Sequence, residues 1–184
     1  MSDAALQDLR FPIGPFEPPE TIDAALRAAW IADLSRLPED LARVLAPLDG
    51  DWLERPYRAG GWTVRQVVQH LADSHTNSLV RFKWALTEDR PLIKAYDEVA
   101  WAELPDVGRP DLEAVQAFLA ALHGRWVVLL EGLSEDQWQR VWRHPESGDW
   151  RLDHTLGFYA WHGRHHLAHV TRLLEREGGP LPRR

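Results

Sequence analysis

The chain has 184 residues and a formal net charge of −7, with 45% apolar and 27% charged residues. This length and composition fit a soluble globular protein of one domain, residues 1–184, and exclude a disordered or membrane-embedded chain. Cysteine is absent, so disulfides and thiolate chemistry are excluded, and imidazole and carboxylate remain as metal donors. The sequence contains no basic stripe, so we do not expect nucleic acid as a partner. The first twenty residues resemble neither a signal peptide nor an anchor, so we expect a cytoplasmic location and no membrane contact.

The beginning of the chain contains two segments of different character. Four prolines between Phe11 and Glu20 predict that residues 1–20 form an extended N-terminal segment, because proline fixes φ and disfavours helix in the residue before it. From Thr21 the apolar residues recur with a period near 3.6, which predicts a helix. Pro38 interrupts this pattern, so the region is either one kinked helix or two consecutive helices.

A second helix is predicted from Thr63 to about Glu88, because Thr63 and Gln66 have the spacing of a capping box. A line of polar residues runs beside the apolar stripe of this helix, and polar side chains that face the core require a structural or functional explanation. At 100° per residue the line spans roughly 40°, and it consists of His70, Ser74, Asn77 and Arg81. The long connection over residues 89–110, with a short helix through Tyr96 to Leu104, is typical of a lid or pocket wall.

A third helix is predicted to follow Pro110 and to end at Gly132, and Ser134 begins a short helical turn. The last helix is predicted from a capping Asp153 to Gly178. No strong strand signal is present. Four long helices predict an all-α fold, a four-helix bundle with long inter-helix loops, which is a scaffold that often carries metal sites between facing helices.

The last helix carries four histidines within residues 161–169. His162 and His166 are four residues apart, so both rings lie on one face of a helix and can bind one ion, although such a pair also arises by chance. His70 lies at the edge of the second helix's apolar stripe and can complete a three-histidine site. The remaining histidines are caps, surface groups or satisfied core groups (His123, His144), weaker ligand candidates (His75, His154, His165), or a group that orients a ligand (His169).

Several longer motifs make the chain similar to a known family, the YfiT-type branch of the DinB superfamily of metal-binding helical bundles. The similarity spans nearly the whole chain. It rests on Phe11-Pro12-Ile13-Gly14-Pro15-Phe16, on residues 61–75 from Gly61-Trp62-Thr63 to His70-Leu71-Ala72-Asp73-Ser74-His75, on Asn77-Ser78 with Arg81-Phe82-Lys83, on Ala85-Leu86-Thr87-Glu88, on residues 100–106, on His144-Pro145-Glu146-Ser147-Gly148, and on residues 159–169.

The resemblance implies a metal site more clearly than a reaction. It implies one divalent ion per chain, Zn²⁺ first and Ni²⁺ as the alternative, bound by His70, His162 and His166, and it implies a homodimer. The activity implied is that of a metal-dependent hydrolase. Related bundles imply the alternative of an S-transferase that uses a low-molecular-weight thiol such as bacillithiol. In either case the substrate is a small molecule.

Both reactions use a three-histidine ion, which activates either a metal-bound water or a thiolate, so no side chain is assigned as the catalytic group. Asp73, Glu103 and Glu146 are candidates for moving protons, although each also fits a cap, an ion pair or a solvent-exposed group. Asp73, Asn77 and His169 are further candidates for supporting the ligands or contacting substrate.

Two arginines and three tryptophans complete the predicted site. Arg81 and Arg164 could hold a substrate carboxylate through bidentate bonds, or could form salt bridges within the protein. Trp62, Trp101 and Trp161 adjoin the motifs and could form the apolar wall of a pocket, or simply belong to the core.

A non-catalytic metal-binding or sensing bundle is a second alternative to hydrolysis. It predicts a closed four-coordinate site, with His169 or a carboxylate as the fourth ligand. Chelation would then destabilise the fold, whereas an open catalytic site would lose activity and keep its fold.

Overall fold

The computed structural model describes residues 3–108 and 112–181. Four long helices account for most of it, and they are joined by short helices and one small hairpin. In chain order the elements are α1 (Asp3–Arg10), α2 (Ala24–Leu45), α3 (Gly50–Leu53), α4 (Val64–Thr87), α5 (Glu98–Trp101), α6 (Pro105–Gly108), α7 (Leu112–Glu131), α8 (Glu135–Trp138), β1 (Val141–His144), β2 (Gly148–Arg151) and α9 (Leu152–Glu177).

The four long helices form the predicted bundle. α2 and α4 each pack against both α7 and α9, so each long helix has two long neighbours. α2 continues through Pro38 as one helix, and Asp23 caps it by accepting a hydrogen bond from the Leu26 amide at 2.8 Å. The predicted capping box of α4 is present, with both the Thr63 and the Gln66 bonds formed. The all-α four-helix prediction is therefore confirmed.

Two local predictions were wrong. Residues 1–20 were expected to be extended, but Asp3–Arg10 is helical, because the prolines that prevent helix formation begin only at Pro12; residues 1 and 2 lie outside the described residues. Asp153 is not the N-cap of α9, because the helix begins directly after β2 with Arg151 as its cap residue. Asp153 instead lies in the first turn, 1% exposed, and accepts two hydrogen bonds from the Arg151 guanidinium.

The hairpin β1–β2 was not predicted, because its strands are only four residues long. They pair antiparallel, with Gly148 in the left-handed region at φ 79°. Trp142 and Trp150 are paired across the hairpin and stack, with ring centroids 5.6 Å apart. The short helix predicted through Tyr96 to Leu104 is present as α5, and the predicted start of the third helix at Pro110 lies outside the described residues.

The apolar core consists of two clusters at opposite ends of the bundle. One contains residues from the first halves of α2 and α9, including Trp30 and Leu156, together with Phe82 of α4. The other contains residues from the second halves of α2 and α9, including Leu41 and Leu173. Between them the long helices contribute buried polar side chains in place of apolar ones. These are mainly His75, His123, His162, His165, His166 and His169. A layer of histidines therefore crosses the bundle between two apolar clusters.

Among the described residues, α7 is the one helix long and apolar enough, by length and composition alone, to cross a membrane. In the bundle one of its faces carries buried core residues, including Leu119 and Trp126. A core helix passes the same test of length and composition, and α7 occupies such a position.

We predict that Gly157→Ala destabilises the protein, because α2 and α9 approach each other too closely for a larger residue. A Cβ at Gly157 would lie 2.8 Å from Cη2 of the buried Trp30 ring. Overpacking of this kind costs about 1–3 kcal/mol. Gly124→Ala on α7 is the matched control, since its Cβ would meet nothing within 4 Å, and it should stabilise the helix by up to about 1 kcal/mol. Urea unfolding followed by circular dichroism measures both, and equal stabilities would contradict the close packing.

Candidate metal centre

Three histidines from two helices converge at the edge of the polar layer. His70 comes from α4, whereas His162 and His166 are one turn apart on α9. One ring nitrogen from each lies within 4.8 Å of the others, and Nε2 of His70 is 3.2 Å from Nε2 of His162. His162 and His166 are each 7% exposed, and His70 is partly buried against Trp62. The structure thus brings the three predicted residues together, and their assignment as metal ligands stays a prediction.

All three imidazoles are neutral at pH 7. Burial, and secondarily the nearby His169, lowers the pKa of His70 to about 4. Burial, followed by the neighbouring histidines, holds the pKa of His162 and of His166 well below 6.5. A metal ion needs the lone pair of an unprotonated imidazole nitrogen. The site therefore offers such lone pairs without first having to lose protons.

A chain of hydrogen bonds determines which ring nitrogen of His162 carries the proton and which carries the lone pair. The carbonyl oxygen of Leu34 can only accept, so Nδ1 of His123, 2.6 Å away, donates to it. Nε2 of neutral His123 must then accept from Nδ1 of His75 at 2.9 Å. Nε2 of His75 in turn accepts from Nδ1 of His162 at 3.2 Å. The lone pair of His162 therefore lies on Nε2, the atom that faces His70.

A shorter chain of the same kind leads to His166. The Arg10 carbonyl accepts from Nε2 of His169 at 3.1 Å, which leaves the lone pair of His169 on Nδ1. Nδ1 of His166, 3.3 Å away, donates to that lone pair, so His166 also has its free lone pair on Nε2. His169 is thus hydrogen-bonded to a candidate ligand, and its supporting role stays a prediction.

A second group of histidines could hold an ion in place of the first. His165, His166 and His169 also offer nitrogens within 4.8 Å of one another. Both ring nitrogens of His169 are already hydrogen-bonded, however, and His165 stacks on Trp161 with ring centroids 4.4 Å apart. Nδ1 of His165 is buried without a hydrogen-bond partner among the described residues. The two chains of hydrogen bonds favour the group that contains His70.

A cavity of about 430 Å³ opens onto the candidate ligands. Trp62 and Trp161 form part of its wall, as expected, whereas Trp101 does not line it and packs against Tyr96, which does. Arg81 and His169 also line the cavity. The cavity therefore joins the metal-ligand candidates to a polar and aromatic wall.

Several of the predicted supporting residues do not line this cavity. Asn77 donates to the main-chain carbonyl of Asp73 within α4, and Arg164 forms a salt bridge with Asp33. Asp73 does not line the cavity either, and burial and the nearby Asp106 raise the pKa of its carboxyl to about 6. The remaining acidic candidates also lie outside the cavity wall: the Glu103 side chain accepts from Gln66, and the backbone amide of Glu146 donates to His144.

Other residues of the site were missed or undervalued. Sequence patterns indicate His75 only as a weak ligand candidate and His123 as an ordinary core group, and they do not single out Glu98, Tyr96 or Tyr159 as site residues. The presence of Tyr159 three residues before His162 was an available signal, because that spacing places both on one helical face. No local pattern connects His75 with His123, which come from different helices.

Comparison with known proteins shows which protein family the chain matches. The sequence profile of the DinB superfamily matches residues 33–170, which is most of the chain. The chain belongs to the DinB superfamily. All three candidate ligands lie within the matched segment.

Similar proteins of this superfamily occur in Bacillus species. A protein of Bacillus mycoides (strain KBAB4) is 50% identical over 171 residues, covering 93% of this chain and 98% of that protein. A protein of Bacillus cereus (strain 03BB102) is 47% identical with the same coverage. Both carry the name "Putative metal-dependent hydrolase".

A solved structure shares the fold. YfiT from Bacillus subtilis superposes with a TM-score of 0.92 at 45% identity, covering 94% of this chain and 99% of that one. It is described as "a probable metal-dependent hydrolase with an unusual four-helix bundle topology". The bundle of this DinB-superfamily protein is thus one already seen by experiment.

We predict that the metal-free protein loses stability as the pH falls below about 6.5. Seven histidines have lowered pKa values in the fold, whereas in the unfolded chain they take up protons near pH 6.5; they are His70, His75, His123, His162, His165, His166 and His169. Each can lower the free energy of unfolding by up to about 1.4 kcal/mol per pH unit, down to pH about 4 for His70 and His169. Asp73, with its raised pKa, acts in the opposite direction but is a single group.

Urea titrations of the metal-free protein at pH 7.5 and 5.5 measure this loss. The unfolding midpoint should fall between the two values, and an unchanged midpoint would show that the histidine layer is not buried in its neutral form.

We also predict that His162 carries its proton on Nδ1. Long-range ¹⁵N–¹H NMR of the metal-free protein identifies the tautomer. In His123→Leu, which has no acceptor for His75, the tautomers of His75 and His162 should become mixed. His123→Gln is the control, because its side-chain oxygen can still accept from His75. A wild-type His162 protonated on Nε2 would contradict the donor–acceptor direction assigned to this chain of hydrogen bonds.

Proposed function

We propose that this protein is a hydrolase that depends on one divalent metal ion held by His70, His162 and His166. The observation that supports it is the convergence of three neutral imidazoles, two of which have their lone pairs on Nε2, at the wall of an open cavity. Three nitrogen donors without a thiolate suit Zn²⁺ first and Ni²⁺ second. The donor set therefore fits such an ion.

The arrangement is that of an open site rather than a closed structural one. A closed site needs a fourth protein ligand, and His169, the sequence candidate, has both ring nitrogens in hydrogen bonds to His166 and Arg10. The names of similar proteins from Bacillus species point in the same direction. An ion held by His70, His162 and His166 would supply Lewis-acid activation of a substrate carbonyl and of water.

The protein's own residues position the substrate and handle protons. Glu98 is the one carboxylate among the described residues of the cavity wall, and its oxygens can accept a proton. Trp62 and Trp161 provide an apolar wall that displaces water from the uncharged part of a substrate. Tyr159 contributes a hydroxyl that accepts from Arg81, and its ring lies beside that of His162.

A second candidate is transfer of a low-molecular-weight thiol to an electrophile. The observation that favours it is the exposure of Glu98, which leaves the described part of the cavity wall without a buried carboxylate to activate water. A thiol cosubstrate supplies its own nucleophile and needs less help from a base.

We predict that His70→Ala and His166→Ala each lose bound metal, because two imidazoles hold a divalent ion far less tightly than three. Metal analysis of the purified proteins measures this. His165→Ala is the matched control and should keep its metal. Full occupancy in His70→Ala with loss in His165→Ala would assign the ion to the group of His165, His166 and His169 instead.

We predict that chelation abolishes activity and leaves the helical circular dichroism signal mostly intact. Screening the metal-loaded protein against esters and amides, and separately against a thiol with an electrophile, distinguishes hydrolysis from transfer. Turnover only in the thiol screen would replace the hydrolase proposal. Collapse of the helical signal on chelation would indicate a structural metal.

A further inference from the structure

The arginines of this protein differ in whether they have a carboxylate partner. In the described ranges 3–108 and 112–181, ten arginines form salt bridges with carboxylates; they are Arg27, Arg36, Arg43, Arg55, Arg65, Arg90, Arg151, Arg164, Arg172 and Arg176. Three others, Arg10, Arg58 and Arg81, line the cavity of the candidate metal centre, and none has a salt bridge within those ranges. In a chain with net charge −7, three of the six described arginines without a salt bridge are thus gathered at one cavity. The other three are Arg125, Arg140 and Arg143.

Arg81 is the most deeply placed of these three. It is 8% exposed, and its guanidinium lies 5.3 Å from the ring centroid of Trp142. Among the described residues its hydrogen-bond partner is the hydroxyl of Tyr159, at 3.4 Å. Guanidinium has five donors and stays charged at any physiological pH. Burying such a charge without a carboxylate is costly, so the fold keeps a cation that suits an anion arriving from the cavity.

The position of Arg81 relates this cation to the candidate metal ligands. Tyr159, which Arg81 contacts, precedes His162 by three residues on α9, and their ring centroids are 5.6 Å apart. The Arg81 side chain and the candidate ligands line the same cavity, and the Tyr159 side chain contacts both Arg81 and His162. A small molecule can reach both with one end at each.

The two arginines singled out in the sequence separate clearly in the structure. Arg164 is bound to Asp33 outside the cavity, whereas Arg81 faces the cavity without an acidic partner in the described chain. Arg58 donates to Tyr57 and to the Ala59 carbonyl, and Arg10 is exposed, so both add positive charge near the opening without forming a buried site. Arg81 is the one whose surroundings form a binding site.

We propose that the substrate carries a carboxylate, which Arg81 binds through its guanidinium, and that the site accepts small carboxylate-bearing molecules. This rests on the proposed function, because it places the carboxylate in the same cavity as the reacting group. The guanidinium lies against the Trp142 ring and donates a hydrogen bond to the hydroxyl of Tyr159. A planar guanidinium fork matches a carboxylate with two parallel hydrogen bonds.

The test uses glutarate as the probe and tryptophan fluorescence as the readout, since Trp142 lies beside Arg81. Titrating the metal-free protein keeps the experiment independent of the metal. Wild type should bind glutarate, and Arg81→Gln should bind it at least about tenfold more weakly, as expected for loss of a charge-assisted pair. Arg81→Lys keeps the charge without the fork and should be intermediate. Arg164→Gln is the matched control and should bind like wild type.

Two further ligands test the chemical class. Glutaramide, the uncharged analogue, should bind weakly and equally to wild type and Arg81→Gln. Inorganic phosphate should bind less tightly than glutarate; tighter Arg81-dependent binding of phosphate would replace the carboxylate by a phosphate group. Equal glutarate affinity in wild type, Arg81→Gln and Arg81→Lys, with circular dichroism showing all three folded, would overturn the proposal.

The outcome separates this proposal from the metal-centre proposal. If glutarate binding is independent of Arg81 while His70→Ala still loses metal, only the carboxylate assignment fails. If glutarate binding depends on Arg81 while His70→Ala keeps its metal, the anion site stands and the metal assignment fails.

Discussion

The bundle depends on a hydrogen-bonded layer of neutral histidines that crosses it between two apolar clusters. Buried imidazoles are tolerated only when uncharged and hydrogen-bonded, and this layer meets both conditions over most of its members. Each chain of bonds ends on a backbone carbonyl, of Leu34 or of Arg10, which can only accept. Because each carbonyl can only accept, it sets the donor–acceptor direction of every hydrogen bond in its chain. The lone pairs of His162 and His166 therefore lie on Nε2.

Close helix packing fixes the positions of the histidines in this layer. α2 and α9 approach so closely that a Cβ at Gly163 would lie 2.5 Å from a methyl group of Leu37. α2 also packs against α7, which brings the Leu34 carbonyl within reach of His123, and His75 on α4 continues the chain of bonds to His162 on α9. The packing of all four long helices therefore serves the site as well as the core. The hairpin has a comparable role, since it places Trp142 against Arg81.

Much of the fold could be predicted, because its determinants are local. The period of 3.6, the capping box at Thr63 and Gln66, and the terminating Gly178 each act within one or two turns. The errors have physical reasons as well. The hairpin strands are four residues long, too short for alternation to show, and Asp153 looked like a cap because its bonding partner Arg151 could not be identified from spacing.

The sequence by itself determined which residues can share a helical face, including His162 with His166 and His70 beside its apolar stripe, because spacing along one helix dictates direction. Contacts between helices were decided only by the tertiary structure. It joined His75 to His123, placed Arg164 against Asp33, and left Arg81 facing the cavity. The rotation of each helix about its axis and its distance from its neighbours set these contacts, and both depend on the packing of the whole core rather than on any local pattern.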